Sequence, residues 1–272
     1  MPCNSSRNFK ERLMNINLIR FNTSIGQQKP ENMRNRENAC PFCDVASLTD
    51  IIDTDGDIIL LKNKYNVIEG ADQFVIIEGS ACKSDMPEYS KEHMHRLIRM
   101  GLRHWKHLLD CGKYRDVLFF KNYGPLSGGT IRHPHMQLIG FPEIDETLFF
   151  SPEEMNGLII HEQDGVQLNI SNCPRVGFGE LNVIPAIGSS PDVLADYIQI
   201  AVHYLMHHFN RNCTSYNIFF YHKAEQIYVK ILPRFATSPY FIGYNIHFLP
   251  TNVERIAAEM QELYFRNCQK IT

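Results

Sequence analysis

The stretch FFKNYGPLSGGTIRHPHMQ, residues 119–137, dominates the interpretation of this chain. It joins an apolar segment, a glycine-bearing loop and the pattern His-Pro-His-Met-Gln. Because side chains two positions apart along a strand lie on the same face, His133, His135 and Gln137 are predicted to line one surface. The glycines let backbone N–H groups approach an anion closely, and such a concave loop suits a phosphate. The stretch therefore predicts phosphate chemistry beside histidine side chains.

A histidine can attack phosphorus only through an unprotonated ring nitrogen. Its ordinary pKa of about 6.5 leaves much of the imidazole neutral at pH 7. An isolated His-x-His pattern is more often two ordinary histidines beside a turn. Here the preceding apolar strand, the Gly128-Gly129 pair and the trailing Gln137 favour a catalytic interpretation.

Cys40-Pro41-Phe42-Cys43 is the second chemical motif. A C-x₂-C pair supplies two thiolates to a tetrahedral zinc ion, which then needs two further ligands. A thioredoxin-like redox pair is the main competitor, but that motif follows a strand and opens a helix. This pair follows a polar arm, so a zinc site is favoured over a redox pair and over two unligated core cysteines.

Composition limits the class of protein. The chain has 272 residues, 44% of them hydrophobic, and a formal net charge of −3. A nearly neutral chain gives no electrostatic case for nucleic-acid binding. No segment approaches the roughly 20 apolar residues of a membrane span, and the N-terminus lacks the apolar run of a signal peptide. We therefore expect a cytoplasmic protein, in which disulfides are disfavoured and a close pair among the eight cysteines points to metal or redox work.

The periodicity of apolar residues predicts an α+β fold with antiparallel sheets and segregated helices. The second half of the chain repeats the first weakly, since SYNIFFYHKAEQIYVKILPR echoes DVLFFKNYGPLSGGTIRHPHMQLIG. Phe119-Phe120 and Phe219-Phe220 mark the correspondence. We predict a catalytic half over residues 1–150, which carries the zinc site, and a second half over 151–272, which lacks the catalytic histidine.

Together these motifs resemble the galactose-1-phosphate uridylyltransferase branch of the histidine-triad superfamily, and its small bacterial members above all. The resemblance covers most of the chain. It is sharp at CPFC (40–43), LLKNKY (60–65), FVIIE (74–78) and the opening stretch. It implies a histidine-triad-like fold of two related halves, a structural zinc ion and nucleotidyl transfer through a covalent intermediate.

The resemblance also assigns roles to residues. The second histidine of His-Pro-His-x-Gln is the family's nucleophile, which is His135 here, and Gln137 hydrogen-bonds the phosphoryl oxygens. The positions that contact substrate in relatives, together with the loop glycines, are Asn63, Asn122, Gly128, Gly129 and Thr130. We add four cations as candidates for phosphate binding. Lys121 and Arg132 flank the loop, and the alternative for each is a solvated surface charge. Lys230 and Arg234 are candidates for the acceptor's phosphate.

The family places zinc on the Cys pair, on the first histidine of the motif and on a histidine shortly after the FVIIE strand. Cys40, Cys43 and His133 match the first three ligands. At the fourth position the family reads Glu-x-Pro-Asp-His, whereas this chain reads Glu-Gly-Ser-Ala-Cys, so Cys82 falls on the ligand position. Cys₃His is a common structural zinc set. The alternatives for the fourth ligand are Asp85, His93 and Cys111.

The implied activity is transfer of UMP or AMP from a nucleotide sugar to a sugar phosphate or to phosphate. The hydrolase branch has a third histidine where this chain has Gln137. An amide cannot donate or accept a catalytic proton near neutral pH, so transfer is favoured over hydrolysis. The alternatives are a dinucleoside polyphosphate phosphorylase or hydrolase, and a non-catalytic zinc protein that binds a nucleotide. The resemblance also suggests a homodimer.

Overall fold

The structure, a computed structural model, describes residues 19–144 and 150–266. Within them, ten strands form one sheet in which every neighbouring pair is antiparallel. The strands are β1 (Ile51–Asp55), β2 (Ile58–Lys62), β3 (Asp72–Ile77), β4 (Asp116–Tyr123), β5 (His135–Phe141), β6 (Gly157–Gln163), β7 (Val166–Ser171), β8 (Leu181–Pro185), β9 (Tyr216–Lys223) and β10 (Gln226–Pro233).

The long helices pack on one face of this sheet, as the fold-class prediction requires. In chain order the helices are α1 (Thr23–Gln28), α2 (Lys91–Asp110), α3 (Pro191–Tyr204, continued by a π-helical turn over Leu205–Phe209), α4 (Pro239–Tyr244) and α5 (Val253–Tyr264). Apolar residues of α2, α3 and α5 share one core with one face of the strands. The α+β prediction with segregated helices is confirmed. No helix in the described ranges is long and apolar enough to cross a membrane.

The strand order shows that the two halves are related. It runs β1-β2-β3-β5-β4-β9-β10-β8-β7-β6, so the order from one edge to the centre repeats from the other edge with each strand number raised by five. The halves meet where β4 pairs with β9. Two related halves are therefore confirmed, while the division at residues 150 and 151 stays a prediction.

The two phenylalanine pairs that mark the correspondence meet where the halves join. Phe119 lies opposite Phe220, and Phe120 lies opposite Phe219. The first pair stacks at 4.2 Å in the helix-side core, whereas the second pair faces the other side of the sheet. Because neighbouring strand residues point to opposite faces, each half contributes one phenylalanine to each face of the sheet at this junction.

The face of the sheet away from the helices carries the motifs of the sequence. Phe42, from the Cys-Pro-Phe-Cys segment, packs on apolar side chains of β2 and β3. The loop between β4 and β5 turns over the same region. Gly124 is needed there because its φ is +83° and a Cβ would lie 2.2 Å from the Thr214 carbonyl oxygen. The loop is therefore held directly against the second half.

Candidate active site and metal centre

The candidate metal centre is built from three separate segments. Cys40 and Cys43 come from the segment before β1, Cys82 follows β3, and His133 precedes β5. One ligand atom of each lies within 4.8 Å of the others, and no other such group is found in the described part of the chain. Three thiolates and one imidazole match a tetrahedral structural zinc site, in which sulfur and nitrogen lie about 2.0–2.3 Å from the ion. The residues present therefore fit the metal.

Hydrogen bonding prepares His133 to be a ligand. Its Nε2 donates to the Gly79 carbonyl oxygen at 2.7 Å. A carbonyl only accepts, so the proton of the neutral ring lies on Nε2 and Nδ1 carries the lone pair. That Nδ1 is 3.6 Å from the Cys40 sulfur and 3.5 Å from the Cys43 sulfur. The ring is oriented for coordination through Nδ1.

The alternative fourth ligands lie elsewhere. Both Asp85 carboxylate oxygens accept from the Tyr216 hydroxyl, at 2.7 and 2.9 Å. His93 lies 2.6 Å through Nε2 from the Glu78 carbonyl oxygen. Cys111 is exposed just beyond the end of α2. The structure brings Cys82 to the cluster and none of these three.

His135 opens β5 and has one ring nitrogen free of the backbone hydrogen bond. Its Nδ1 is 2.8 Å from the His133 carbonyl oxygen, so Nδ1 carries the proton and Nε2 keeps its lone pair. The side chain is only 7% exposed. Burial lowers its pKa to about 4, and the positive charge of Lys121 acts in the same direction. At neutral pH the ring is therefore uncharged and able to attack.

A cavity of about 580 Å³ brings the predicted site residues together. All seven residues predicted as catalytic or substrate-binding line it: Asn63, Asn122, Gly128, Gly129, Thr130, His135 and Gln137. Apolar side chains of the Cys-Pro-Phe-Cys segment and of β2 and β3 form one wall. A mostly apolar cavity with a few convergent polar groups is the usual form of a small-molecule site.

The glycine loop is shaped by its backbone. Gly128 has a φ of +91°, a conformation that side chains other than glycine rarely adopt. The Thr130 carbonyl oxygen accepts from the backbone N–H groups of Asn32 and Met33, at 3.0 and 3.1 Å. The Gly129 N–H donates to the Ser127 hydroxyl at 3.3 Å. The segment that contains Asn32 and Met33 therefore holds the loop in place beside the cavity.

Two asparagines have their amide orientation settled by neighbours. The Asn63 oxygen accepts from the Tyr65 backbone N–H at 2.9 Å. The Asn122 oxygen accepts from the Asn217 amide nitrogen at 2.6 Å. In both cases the oxygen is engaged, and the Nδ2 group remains to donate to a ligand in the cavity.

Lys121 and Arg132 flank the loop in sequence, as candidates for phosphate binding, but neither lines the cavity. Lys121 is fully buried on the helix side, where it pairs with Glu78 and lies 3.4 Å from an Asp85 oxygen. Alternation along β4 explains this, since Asn122 faces the cavity and its neighbour must point away. Arg132 lines a separate cavity of about 510 Å³.

We expect Lys121→Met to lower the free energy of unfolding by about 3–5 kcal/mol at pH 8, because it leaves two buried carboxylates without their cation. Burial already raises the pKa of Asp85 to about 6, against the opposing effect of Lys121. A raised folded-state pKa favours the protonated form at low pH, so the loss should be smaller at pH 5. Urea unfolding at both pH values measures it. Lys106→Met, on an exposed site, is the control, and an equal loss at both pH values would contradict the prediction.

Lys230 and Arg234 also lie outside the His135 cavity. Lys230 is fully buried, donates to three oxygen atoms and lies 3.4 Å from Glu180. It is not available to a substrate. Arg234 lines a larger cavity, of about 1070 Å³, and donates to Asn217 at 2.6 Å. Neither residue is placed to bind a phosphate beside His135.

The structure adds three residues that the sequence interpretation missed. Phe42 lies with its ring edge-on to His135, at a centroid distance of 5.4 Å. Its position inside the Cys-x-x-Cys motif was a signal, because a bound metal ion would fix the cysteines on either side of it. Lys29 and Lys64 line the cavity and supply positive charge. No sequence pattern distinguished these two lysines from solvated ones.

Comparison with known proteins gives the family. Two family models, described as the N-terminal and C-terminal domains of a domain of unknown function (DUF4931), match residues 21–144 and 147–265. The crystal structure of a DUF4931 family protein from Bacillus cereus is 38% identical. It covers 78% of this chain and 98% of its own, with a TM-score of 0.71. No curated protein is significantly similar in sequence.

Two enzymes share the fold at low identity. ADP-glucose phosphorylase from Arabidopsis thaliana is 14% identical over 84% of this chain and 91% of its own, with a TM-score of 0.66. A uridylyltransferase is 13% identical over 83% and 91%, with a TM-score of 0.65. The resemblance of fold to the uridylyltransferase branch is confirmed. On the two family models and the 38% identity, the chain is a member of the DUF4931 family.

Proposed function

We propose that this protein is a nucleotidyltransferase that carries UMP or AMP on His135 between a nucleotide sugar and a sugar phosphate or phosphate. One observation carries the proposal. The neutral imidazole of His135, with its proton held on Nδ1 by a carbonyl, borders a cavity that Asn122, Gln137 and the Gly128-Gly129 loop also line. The zinc ion, when bound, supplies structural bracing and no step of the reaction.

The first half-reaction follows from this arrangement. The Nε2 lone pair of His135 attacks the α-phosphorus, and the bond from that phosphorus to the bridging oxygen breaks. The leaving group takes the electron pair as a sugar phosphate. The ring then carries a positive charge, which the hydrogen bond from Nδ1 to the His133 carbonyl stabilises. A phosphate oxygen of the acceptor reverses these steps.

Three groups would stabilise the phosphoryl oxygens. These are the Gln137 amide, the Asn122 amide and the backbone of the Gly128-Gly129 loop, all of which line the cavity. The apolar wall that includes Phe42 and Val75 would hold the base and sugar. A uridylyltransferase and an ADP-glucose phosphorylase with the same fold support this class of substrate. A cytoplasmic location and a homodimer stay predictions from the sequence.

Intact-protein mass tests the proposal. The zinc-loaded protein is incubated separately with UDP-glucose, ADP-glucose and a dinucleoside tetraphosphate, each without phosphate. We expect an acid-labile increment of UMP or AMP, which identifies both the covalent mechanism and the base. An increment from the tetraphosphate alone would instead support a dinucleoside polyphosphate phosphorylase. Nucleotide binding with no increment from any donor would support the non-catalytic alternative.

Gln137→His is expected to increase hydrolysis of the nucleotidyl-enzyme relative to phosphorolysis. An imidazole can remove a proton from water near neutral pH, whereas the native amide cannot. General-base assistance contributes about 10²–10⁴-fold, so we expect hydrolysis to rise by at least about tenfold. The labelled enzyme is freed of donor, and release of the nucleoside monophosphate is followed with and without phosphate. Gln137→Asn is the control, and equal hydrolysis by both variants would contradict the prediction.

A further inference from the structure

The orientation of the Asn122 side chain decides what it offers to a substrate. An asparagine amide carries one acceptor oxygen and one donor nitrogen at nearly the same distance from the backbone. Only the nitrogen can donate to a phosphoryl oxygen, and the oxygen would repel it. Asn122 lines the His135 cavity, so whichever atom faces inward helps or hinders an anionic ligand.

A residue of the second half determines that choice. Asn217 lies opposite Asn122 in the β4–β9 pairing and is 1% exposed. Its Nδ2 donates to the Asn122 Oδ1 at 2.6 Å and to the Ser127 carbonyl oxygen at 3.0 Å. Because Asn217 donates to the Asn122 oxygen, the Nδ2 of Asn122 is left for the cavity.

Arg234 in turn fixes Asn217. Its Nη1 donates to the Asn217 Oδ1 at 2.6 Å. A guanidinium has no acceptor, and the Ser127 backbone carbonyl has no donor, so both neighbours require the same orientation of the Asn217 amide. Rotating that amide by half a turn would place nitrogen against guanidinium and oxygen against two oxygens. The Arg234 guanidinium and the Ser127 carbonyl therefore fix the orientation of the Asn217 amide.

We propose that Arg234 and Asn217 are positioning residues, which hold Asn122 with its Nδ2 directed at the phosphate of the substrate. The proposal rests on the proposed function. It gives the second half, which lacks a catalytic histidine, a defined part in the first half's site. We call Arg234, Asn217 and Asn122 the relay. The hydrogen bond from Asn217 to the Ser127 carbonyl also connects the relay to the glycine loop, since the Ser127 hydroxyl accepts from the Gly129 N–H.

Asn217→Asp tests the relay with almost no change of shape. The carboxylate still accepts from Arg234 but has no N–H to donate. Asn122 should then turn its Nδ2 toward the new carboxylate and present its oxygen to the cavity. We expect the donor concentration for half-maximal labelling of His135 to rise about 10- to 100-fold, the range for losing a hydrogen bond to a charged group. The maximal labelling rate should fall less, because the contact is made in both ground and transition states.

A matched control lies in the second half. Asn182 is fully buried, accepts from Lys230 at 2.9 Å and donates to the Asn169 oxygen at 2.8 Å and to the Met155 carbonyl oxygen at 3.1 Å. It therefore repeats the cation–amide–amide arrangement away from the cavity. Asn182→Asp should leave labelling unchanged, while a comparable loss of labelling in this variant would overturn the relay in favour of general destabilisation.

A double-variant cycle separates positioning from folding. Asn122→Ser removes the group that the relay orients. Asn217→Asp should then have no further effect on the donor concentration for half-maximal labelling, because the amide that Asn217 orients is absent. Additive effects of the two substitutions would overturn the proposal.

NMR supplies a readout that does not depend on the reaction. The Asn122 side-chain N–H signals, assigned by their loss in Asn122→Ser, should shift when UMP or AMP is added to wild type and not to Asn217→Asp. Shifts in wild type without any mass increment would refute the proposed function and leave the relay standing. A normal mass increment in wild type, with identical shifts in Asn217→Asp, would refute the relay alone.

Discussion

His135→Ala is expected to abolish the covalent nucleotidyl-enzyme, with a fall in the rate of transfer of at least about 10⁴-fold, the scale on which loss of a nucleophile acts. Alanine has no lone pair to attack the α-phosphorus, and no other histidine of the described residues lines the cavity. Intact-protein mass after incubation with donor measures the adduct. Zinc content by elemental mass spectrometry should be unchanged, because His135 is not in the metal cluster.

His107→Ala, on the exposed side of α2, is the control, and should be labelled like wild type. Two results would contradict the prediction. An adduct of full size in His135→Ala would show that another group is the nucleophile. Loss of zinc together with the adduct would show that the separate roles of His133 and His135 are wrong.

Cys82→Ser is expected to remove zinc and to lower the thermal midpoint by roughly 10 °C or more. Structural zinc sites contribute directly to folding free energy, and a hydroxyl is a poor substitute for a thiolate. Cys82, the Cys40–Cys43 segment and His133 come from three separated segments, so a bound ion would link them. Calorimetry of the chelated and zinc-loaded protein, together with metal analysis, measures both effects.

Cys111→Ser and Cys173→Ser are matched controls, because both cysteines are exposed and outside the cluster. They should retain one zinc per chain and the wild-type midpoint. Retention of zinc by Cys82→Ser at wild-type affinity would mean that Cys82 is not the fourth ligand.

We also expect weaker labelling of His135 in the zinc-free protein, since its Nδ1 donates a hydrogen bond to the backbone carbonyl of His133, a member of the metal cluster.

Most of the candidate site could be predicted from short sequence motifs. His135 and Gln137 were predictable because β alternation alone places them on one face, and the structure pairs both with β3. Cys82 was found from a departure from the family's pattern. The seven residues predicted around the substrate line one cavity, because the strand and loop that bear them are adjacent in the chain or in the sheet.

There is a physical reason why Lys121 and Lys230 were wrongly predicted to bind phosphate. A lysine is expected in solvent unless a buried carboxylate neutralises it, and sequence does not show which carboxylate that is. The partner of Lys121 is Glu78, which follows another strand and lies 43 residues away. Lys230 is held in the same way by Glu180. Both were therefore assigned to phosphate, although folding had already paired them.

The sequence by itself determined the fold class, the repeat of two halves and the placement of His135 and Gln137 on one face of a strand, because these follow from short periodic patterns. Only the tertiary structure decided the register between the halves and the partners of Asn122. Two consecutive phenylalanines in each half allow more than one pairing where the halves meet, and the sheet places Phe119 opposite Phe220. Asn217 lies 95 residues from Asn122 in sequence and meets it only because β4 and β9 join the two halves.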